Sequence, residues 1–559
     1  MNKLSLFIQR PPLVAIILIS LLALVLACGP GEQPAPTSTA KAVATPTTTG
    51  AVATPTPTSR SAPTATPTTV KPSGTLRVAS EQLAGENVDP FLALTNARVF
   101  TTLIYDFIVD VDRDGVVDPK RSLAESWSVG PGNTYYELSI RRGVKFHNGE
   151  ELNAEDVKFH IERQLAEGSQ SANVGILRSF IDRVELVDPY KVRVYTKTPT
   201  PFLLYYLSPL TANDGAAVPK DYITLKGNDA YRANPVGSGP YAFAEQRIGD
   251  FLKLSAVEGN HWKSGVPRYQ EILLRVIPEQ QTRIALLKTD AIDIIGTTNQ
   301  AARELEQQGF KIHVKPDAYN VHLYYNEQWL APFNDIRVRE ALSISIDREA
   351  INKSLFAGLA TIEGDVTVLS RSDIAYKGQQ PPMPYDPARA RTLLKDAGQS
   401  NLQITLWTYP RAGVPEGQRM LEAIASMWGA VGVNVTMKAS DYSTYRAAKA
   451  ARKLGPAQVA WIASPGGALT AGISGYTREG LLPLADDEKL FQLVNEMLAV
   501  SDVETYIVKA NAVAKHVRDN FISGALYRVG AVFVTSPKIT EWHFTTVPAS
   551  WDLLNLAER

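Results

Sequence analysis

Several groups of residues in the chain have the types and spacing that chemistry needs. Asp110-Val-Asp112-Arg-Asp114-Gly115 begins like a calcium-binding loop, in which alternate acids present oxygens to the ion. The twelfth position from Asp110 is Arg121, where such a loop needs a bidentate glutamate, and Pro119 interrupts it, so the segment is read as a tight Asp/Gly turn. Glu150, Glu151, Glu155 and Asp156 are close enough to suggest paired catalytic carboxylates. Their grouping around Asn153 fits the start of a helix better, because the helix dipole favours acids in the first turn. Gly237-Ser238-Gly239 lacks the spacing of a nucleophile elbow and runs into Pro240. Neither a phosphate-binding P-loop nor a GxGxxG motif is present, so the chain carries no nucleotide signature of its own. The seven histidines have no HxxxH-type spacing and there is one cysteine, which disfavours a transition-metal enzyme; no metal site and no cofactor are expected.

The cysteine is informative through its position. Lys3 and Arg10 precede an apolar run from Leu13 to Ala27, which ends in Val25-Leu26-Ala27-Cys28-Gly29. The run suits a signal peptide and is short for a bilayer span of about 20 residues. Its end resembles a bacterial lipobox, in which small residues admit the signal peptidase and the cysteine thiol receives a diacylglycerol. Residues 1–28 are therefore expected to be a lipoprotein signal peptide ending at acylated Cys28. Residues 29–73 are nearly all Pro, Thr, Ala, Ser and Gly, with Ala-Thr-Pro-Thr at 44–47 and again at 53–56. Such a composition has little to offset the entropy of ordering. As a polyproline-rich stalk it can reach on the order of 100 Å.

The elements that must position a site begin after this stalk. The 559 residues, 45% hydrophobic and 20% charged with zero net charge, suffice for several soluble domains. Without a basic stripe, nucleic acid is not an expected partner. Thr75 to Ala79, Tyr135 to Ile140 and Val192 to Thr196 read as strands. Asn153 caps a helix whose apolar face is Val157, Ile161 and Leu165. Thr282 to Leu287 reads as a helix, Ile292 to Ile295 as a strand, and Asp290 stands between them where a left-handed residue is needed. Asp386-Pro387 opens a helix that Gly398 closes. A further helix carries Met420, Ile424, Met427, Trp428 and Val431 before a strand at Val433 to Met437. The alternation predicts α/β lobes with helices covering mixed sheets.

Three ordered blocks carry a family resemblance. The first is Leu123-Ala124-Glu125-Ser126-Trp127, then Tyr135 through Gly149 (YYELSIRRGVKFHNG), then Asn153-Ala154-Glu155-Asp156-Val157. The second is Asn234 through Tyr241 (NPVGSGPY) with Asn260-His261-Trp262. The third is Tyr325-Asn326, Pro332 through Leu342 and Ile346 through Ile351. Together they resemble the family-5 extracellular solute-binding proteins of ABC importers, the oligopeptide, dipeptide and nickel-binding group. The resemblance implies a type II periplasmic-binding-protein fold, with two main lobes, a hinge and an accessory lobe. Lobe I would combine 74–108, 209–318 and 520–559, the accessory lobe II would be 109–208, and lobe III would be 319–519. The chain would cross between lobes I and III near Ala318 and Asn520. Most matching residues are expected to be structural: Asp335 and Asp347 as N-caps, Gly143 and Gly149 as turn formers, Trp127 as core.

The resemblance also implies a function. The chain would capture an extracellular solute, peptide or peptide-like by default, as a monomer, and deliver it to a permease driven by a separate ATPase. Two other functions are weighed: a cleft enzyme such as a glycosidase on the same scaffold, and a receptor that presents its ligand to a sensor. In peptide-binding members an aspartate in a Trp-x-Ala-Asp pattern pairs with the ligand's ammonium. Here the segment is Trp461-Ile462-Ala463-Ser464-Pro465-Gly466-Gly467, with serine where the acid would be. The expected ligand-binding residues are Trp461, Ser464 and Gly466, the aromatics Trp407 and Tyr409, and Glu81 and Asn87 of the loop after the first strand. Glu81 is the candidate replacement for the missing carboxylate, and Trp461→Ala is expected to abolish binding without unfolding the lobes.

Overall fold

The computed structural model describes residues 71–83, 87–93, 97–169, 173–259, 261–364, 368–369, 373–376, 380–410, 414–464, 475–477, 483–500, 502–548 and 550–558. Cys28, most of the stalk, Asn260, Pro465, Gly466 and Gly467 lie outside these residues. The strands in chain order are β1 (Thr75–Ser80), β2 (Ala124–Val129), β3 (Tyr135–Ile140), β4 (Ile181–Asp188) and β5 (Lys191–Thr196). There follow β6 (Tyr241–Arg247), β7 (Phe251–Ala256), β8 (Glu271–Val276), β9 (Ile294–Gly296) and β10 (Lys311–Tyr325). The last six are β11 (Gln403–Thr408), β12 (Asn434–Ala439), β13 (Gln458–Ser464), β14 (Ser523–Thr535), β15 (Ile539–Trp542) and β16 (Leu556–Glu558).

Ten of them form one mixed sheet in the order β12-β11-β13-β10-β14-β9-β1-β8-β7-β6. The long strands β10 and β14 run antiparallel through its middle, from Lys311↔Thr535 to Tyr324↔Ser523, with the register shifting between Lys315 and Tyr319. On one side of that shift Val321, Leu323, Tyr325, Leu526, Tyr527 and Val529 pack in the core of lobe III. On the other side Val532, Phe533 and Val534 pack in the cores of lobe I. Along β14 the packing thus passes from one core to the other near Gly530. Asn520, near which a crossing was expected, is the C-cap of the helix Val503–Asp519 and stands three residues before β14.

The accessory lobe is the separate sheet β2-β3-β5-β4, covered by the helix Ala154–Leu165. That helix starts on a full capping box: Asn153 Oδ1 accepts from Glu155 N at 2.7 Å, and Asp156 Oδ2 from Asn153 N at 3.0 Å. Burial raises the pKa of the Asp156 carboxyl to about 6. The helices Glu488–Leu498 and Val503–Asp519 bury Leu490, Val494, Tyr506 and Val513 in the same core as Leu138, Val157 and Val192. They join lobe III to the accessory lobe, with Tyr506 4.1 Å from Phe202 between ring centres.

Local chemistry follows the sequence at most ends. Asp335 and Asp347 accept from Arg337 N and Ala350 N, Asp386 caps Pro387–Asp396, and Gly143 and Gly149 have positive φ. Asp290 takes φ 58° between the helix Gln280–Lys288 and β9. Asp112 Oδ1 accepts from Asp114 N and Val116 N at 2.9 Å each, so it closes a turn. Two expectations change. Trp127 is half-buried against the accessory core, because β2 is an edge strand with one covered face. The strand expected from Ile292 begins at Ile294, because Asp293 turns aside to accept Arg77 N at 2.8 Å and Nε at 2.9 Å.

Candidate functional site

A cavity of about 350 Å³ lies at the junction of lobes I and III, beside the two crossing strands. Its lobe I wall is made by Ser80, Glu81 and Gln82 after β1, by Pro278, Glu279, Gln280 and Arg283 around the start of a helix, and by Gly296, Thr297 and Thr298 after β9. Val99, Trp551 and residues 531–533 of β14 line the back. Tyr319 of β10 and Pro415 of lobe III complete it. The volume suits a small organic solute. Tyr319, Phe533 and Trp551 supply aromatic surface, and Glu81, Glu279 and Arg283 bring two acids and one base to the same space.

Arg283 is held rigidly. It is 4% exposed, and Nε donates to Gly296 O at 3.0 Å while Nη1 donates to Ile277 O at 2.6 Å and Pro278 O at 2.8 Å. Burial lowers its pKa, and Glu81 and Glu279 act against that. An arginine stays charged through such a shift. Thr297 Oγ1 is buried with no partner among the described residues. Preformed sites of this kind combine apolar walls with a few oriented polar groups.

The expected site residues separate in space. Glu81 is exposed and lines the cavity. Asn87 holds a turn instead, accepting from Asp89 N at 3.2 Å, and the buried Asp89 pairs with Arg163 through two bonds of 2.7 Å. Trp461 is fully buried in the core of lobe III. Gly417 faces its ring so closely that an added Cβ would lie 2.3 Å from it. Tyr409 donates to Trp461 O at 2.5 Å and stacks on its ring at 6.1 Å. Trp407 is also buried, donating to Gln458 Oε1 at 2.8 Å with Lys438 Nζ 3.7 Å above its ring. β11 lies between β12 and β13 and is buried at consecutive residues, so Trp407 is enclosed there, and Tyr409, the residue just after the strand's end, is buried as well. Ser464 pairs through its backbone with Asn320 at the end of β13.

Sequence reasoning passed over Glu279, Arg283 and Thr297. None lies in a motif. Arg283 and Glu279 sit at the start of a helix that was legible, and only the fold turns that start toward lobe III. Among the described residues, no group of three His, Cys, Asp or Glu could hold a metal ion, and no helix is long and apolar enough to cross a membrane.

A lobed mixed sheet with paired crossing strands and a cavity at the junction is the architecture of type II periplasmic binding proteins, and solved structures of that class superpose on the chain. One is the ABC transporter-associated periplasmic binding protein DppA of Helicobacter pylori in complex with the peptide STSA. It matches at TM-score 0.71 and 20% identity, over 87% of this chain and 98% of that one. Residues 118–477 match the model for bacterial extracellular solute-binding proteins, family 5, and the chain belongs to that family. It is accordingly a substrate-binding protein of an ABC importer. Among curated relatives, a glutathione-binding protein of Salmonella choleraesuis is 30% identical over 359 residues, 63% of this chain and 67% of that protein. Heme-binding protein A of Haemophilus influenzae is 27% identical over 413 residues, 68% of this chain and 70% of that protein. These relatives are binding proteins.

Proposed function

We propose that the chain is a lipid-anchored importer subunit that captures a peptide-like, zwitterionic solute in the cavity between lobes I and III. The observation that carries this reading is the placing of Glu81, Glu279 and Arg283 around one aromatic-walled space. A solute with both an ammonium and a carboxylate can pair with each in a partly desolvated site, where charge-assisted bonds are strong. The names of relatives that bind glutathione and peptides support the class. Acylation at Cys28 and a stalk over 29–73 would hold the lobes near the permease. Lobe I is proposed as 74–108, 209–318 and the C-terminal segment from Gly530, with 109–208 as the accessory lobe.

Closure gives capture its energy. A solute touching both lobes stabilises the closed state by its differential affinity for it. The test is to purify the full chain in mild detergent and identify any retained molecule by mass spectrometry. Titration of that molecule into wild type, Glu279→Gln and Arg283→Ala follows. A retained zwitterion that binds at least tenfold more weakly to both variants supports the reading. A neutral or purely apolar molecule, or unchanged binding to both variants, overturns it. Turnover of the molecule would favour a cleft enzyme. A diacylglycerol mass on Cys28, lost in Cys28→Ala, tests the anchor.

A further inference from the structure

Glu416 lies just before the lobe III helix Gly417–Ala430 and is 4% exposed. Its Oε1 accepts two bonds from one residue of lobe I, Asn299 N at 3.1 Å and Asn299 Nδ2 at 2.9 Å. Asn299 begins the helix Asn299–Glu306, whose dipole and free N–H groups favour an anion there. The carboxylate thus clasps the two lobes together. Its Oε2 is buried and meets no donor among the described residues. Buried carboxylate oxygens are normally satisfied, because leaving one bare is costly. The residues beside the clasp, Pro415 on one lobe and Thr297 and Thr298 on the other, line the cavity. Thr297 Oγ1 is buried and bare as well. Of these two unmatched atoms, Thr297 Oγ1 belongs to a residue that lines the cavity, and Glu416 Oε2 lies one residue along the chain from the lining Pro415.

We infer that Glu416 reads the cargo with the same carboxylate that holds the lobes closed. Oε1 keeps Asn299, and Oε2 receives an ammonium of the bound solute. Among the described residues no cation pairs with Glu416, and Arg283, the cavity's base, has Nε and Nη1 committed to carbonyls. An ammonium supplies both the missing donor and the missing countercharge. This inference rests on the reading of the cavity as the cargo site.

The test uses tri-alanine and N-acetyl-tri-alanine as paired probes, alongside a panel of sugars, amines and carboxylates. Binding is measured by calorimetry and closure by X-ray scattering, on the full chain in detergent. Glu416→Gln still offers Asn299 an oxygen, so the unliganded protein keeps its radius of gyration. Its affinity for tri-alanine falls about 10–100-fold while that for the acetylated probe is unchanged. Asn299→Ala enlarges the unliganded protein and weakens both probes by one common factor. Unchanged binding of tri-alanine to Glu416→Gln, or an equal loss for both probes, overturns the role of Oε2. If tri-alanine does not bind wild type while another panel solute does, and that solute is lost in Arg283→Ala, the ammonium assignment fails and the cavity reading stands. If no solute responds to Arg283→Ala, the cavity reading fails and takes the inference with it.

Discussion

Two buried carboxylates sit at two lobe boundaries and are treated differently. Asp106, where lobe I meets the accessory lobe, is countercharged. Its Oδ2 takes the hydrogen bonds, and Oδ1, which has no hydrogen-bond partner among the described residues, faces the Lys263 ammonium. Trp262 Nε1 donates to it at 2.7 Å, Ser238 Oγ at 3.1 Å, His261 Nε2 lies at 3.2 Å and Lys263 Nζ at 3.0 Å. Burial opposes its ionisation, but Lys263 and His261 outweigh burial and hold it below the usual carboxylate range. Glu416, where lobe I meets lobe III, has one oxygen engaged and one bare. Each leaves one oxygen without a hydrogen bond, but Asp106 has Lys263 as countercharge while no cation among the described residues pairs with Glu416. A charge already matched fixes a boundary, and one left unmatched leaves room for a guest.

The comparison breaks most sharply if Asp106 proves dispensable. Asp106→Ala leaves the part-buried Lys263 with Asp110 as its remaining partner and strips Trp262 and Ser238 of their acceptor, and is expected to cost about 2–4 kcal/mol in denaturant unfolding. Trp461→Ala is expected to cost a similar amount, about 3–5 kcal/mol, because the indole is core. That replaces the expectation of folded but binding-dead lobes. Loss of binding with unchanged stability in this variant would return Trp461 to the site.

A pH titration sharpens the fixed side of the comparison. His160 of the accessory lobe is fully buried against Asp214 O at 2.7 Å, near Arg163 and Asp89. Burial brings its pKa from 6.5 down to about 4. The folded form then binds fewer protons than the unfolded chain, so this contribution is whole above pH 6.5 and is lost as pH falls toward 4. About 3 kcal/mol is at stake. Thermal melts from pH 7 to 4 should show the loss, and His160→Gln should flatten it. Gly417→Ala pushes a methyl into the Trp461 ring and should cost about 1–3 kcal/mol. Glu416→Gln is expected to shift the empty protein by under about 1 kcal/mol. A loss as large as that of Asp106→Ala would erase the distinction between the two carboxylates.

What was legible in the sequence was local. The Asn153 capping box, the left-handed Asp290 and the Asp386-Pro387 opening each depend on neighbours within a few residues, and each is present. The lobed fold was legible through ordered blocks, which identify the scaffold and do not by themselves locate the site. The cavity was largely illegible. Glu416 and Asn299 are 117 positions apart, and no spacing rule links them. Trp407 and Tyr409 were recognised as aromatic, but alternation along a strand does not reveal that both faces are covered. Glu81 was reached by looking for a missing charge, an argument from chemistry that needed no local pattern.

The crossing strands also limit how the molecule can move. Between the pair Tyr319 and Val529 and the next pair, Lys315 and Ala531, β10 and β14 are the only strands among the described residues that connect the lobes along the sheet. A two-stranded ladder resists sliding, which would break every rung, yet it yields readily to torsion. The helices Glu488–Leu498 and Val503–Asp519 add a second tie, from lobe III to the accessory core. The two ties act in parallel, so any rotation of lobe III must twist the ladder and also shift Tyr506 against Phe202.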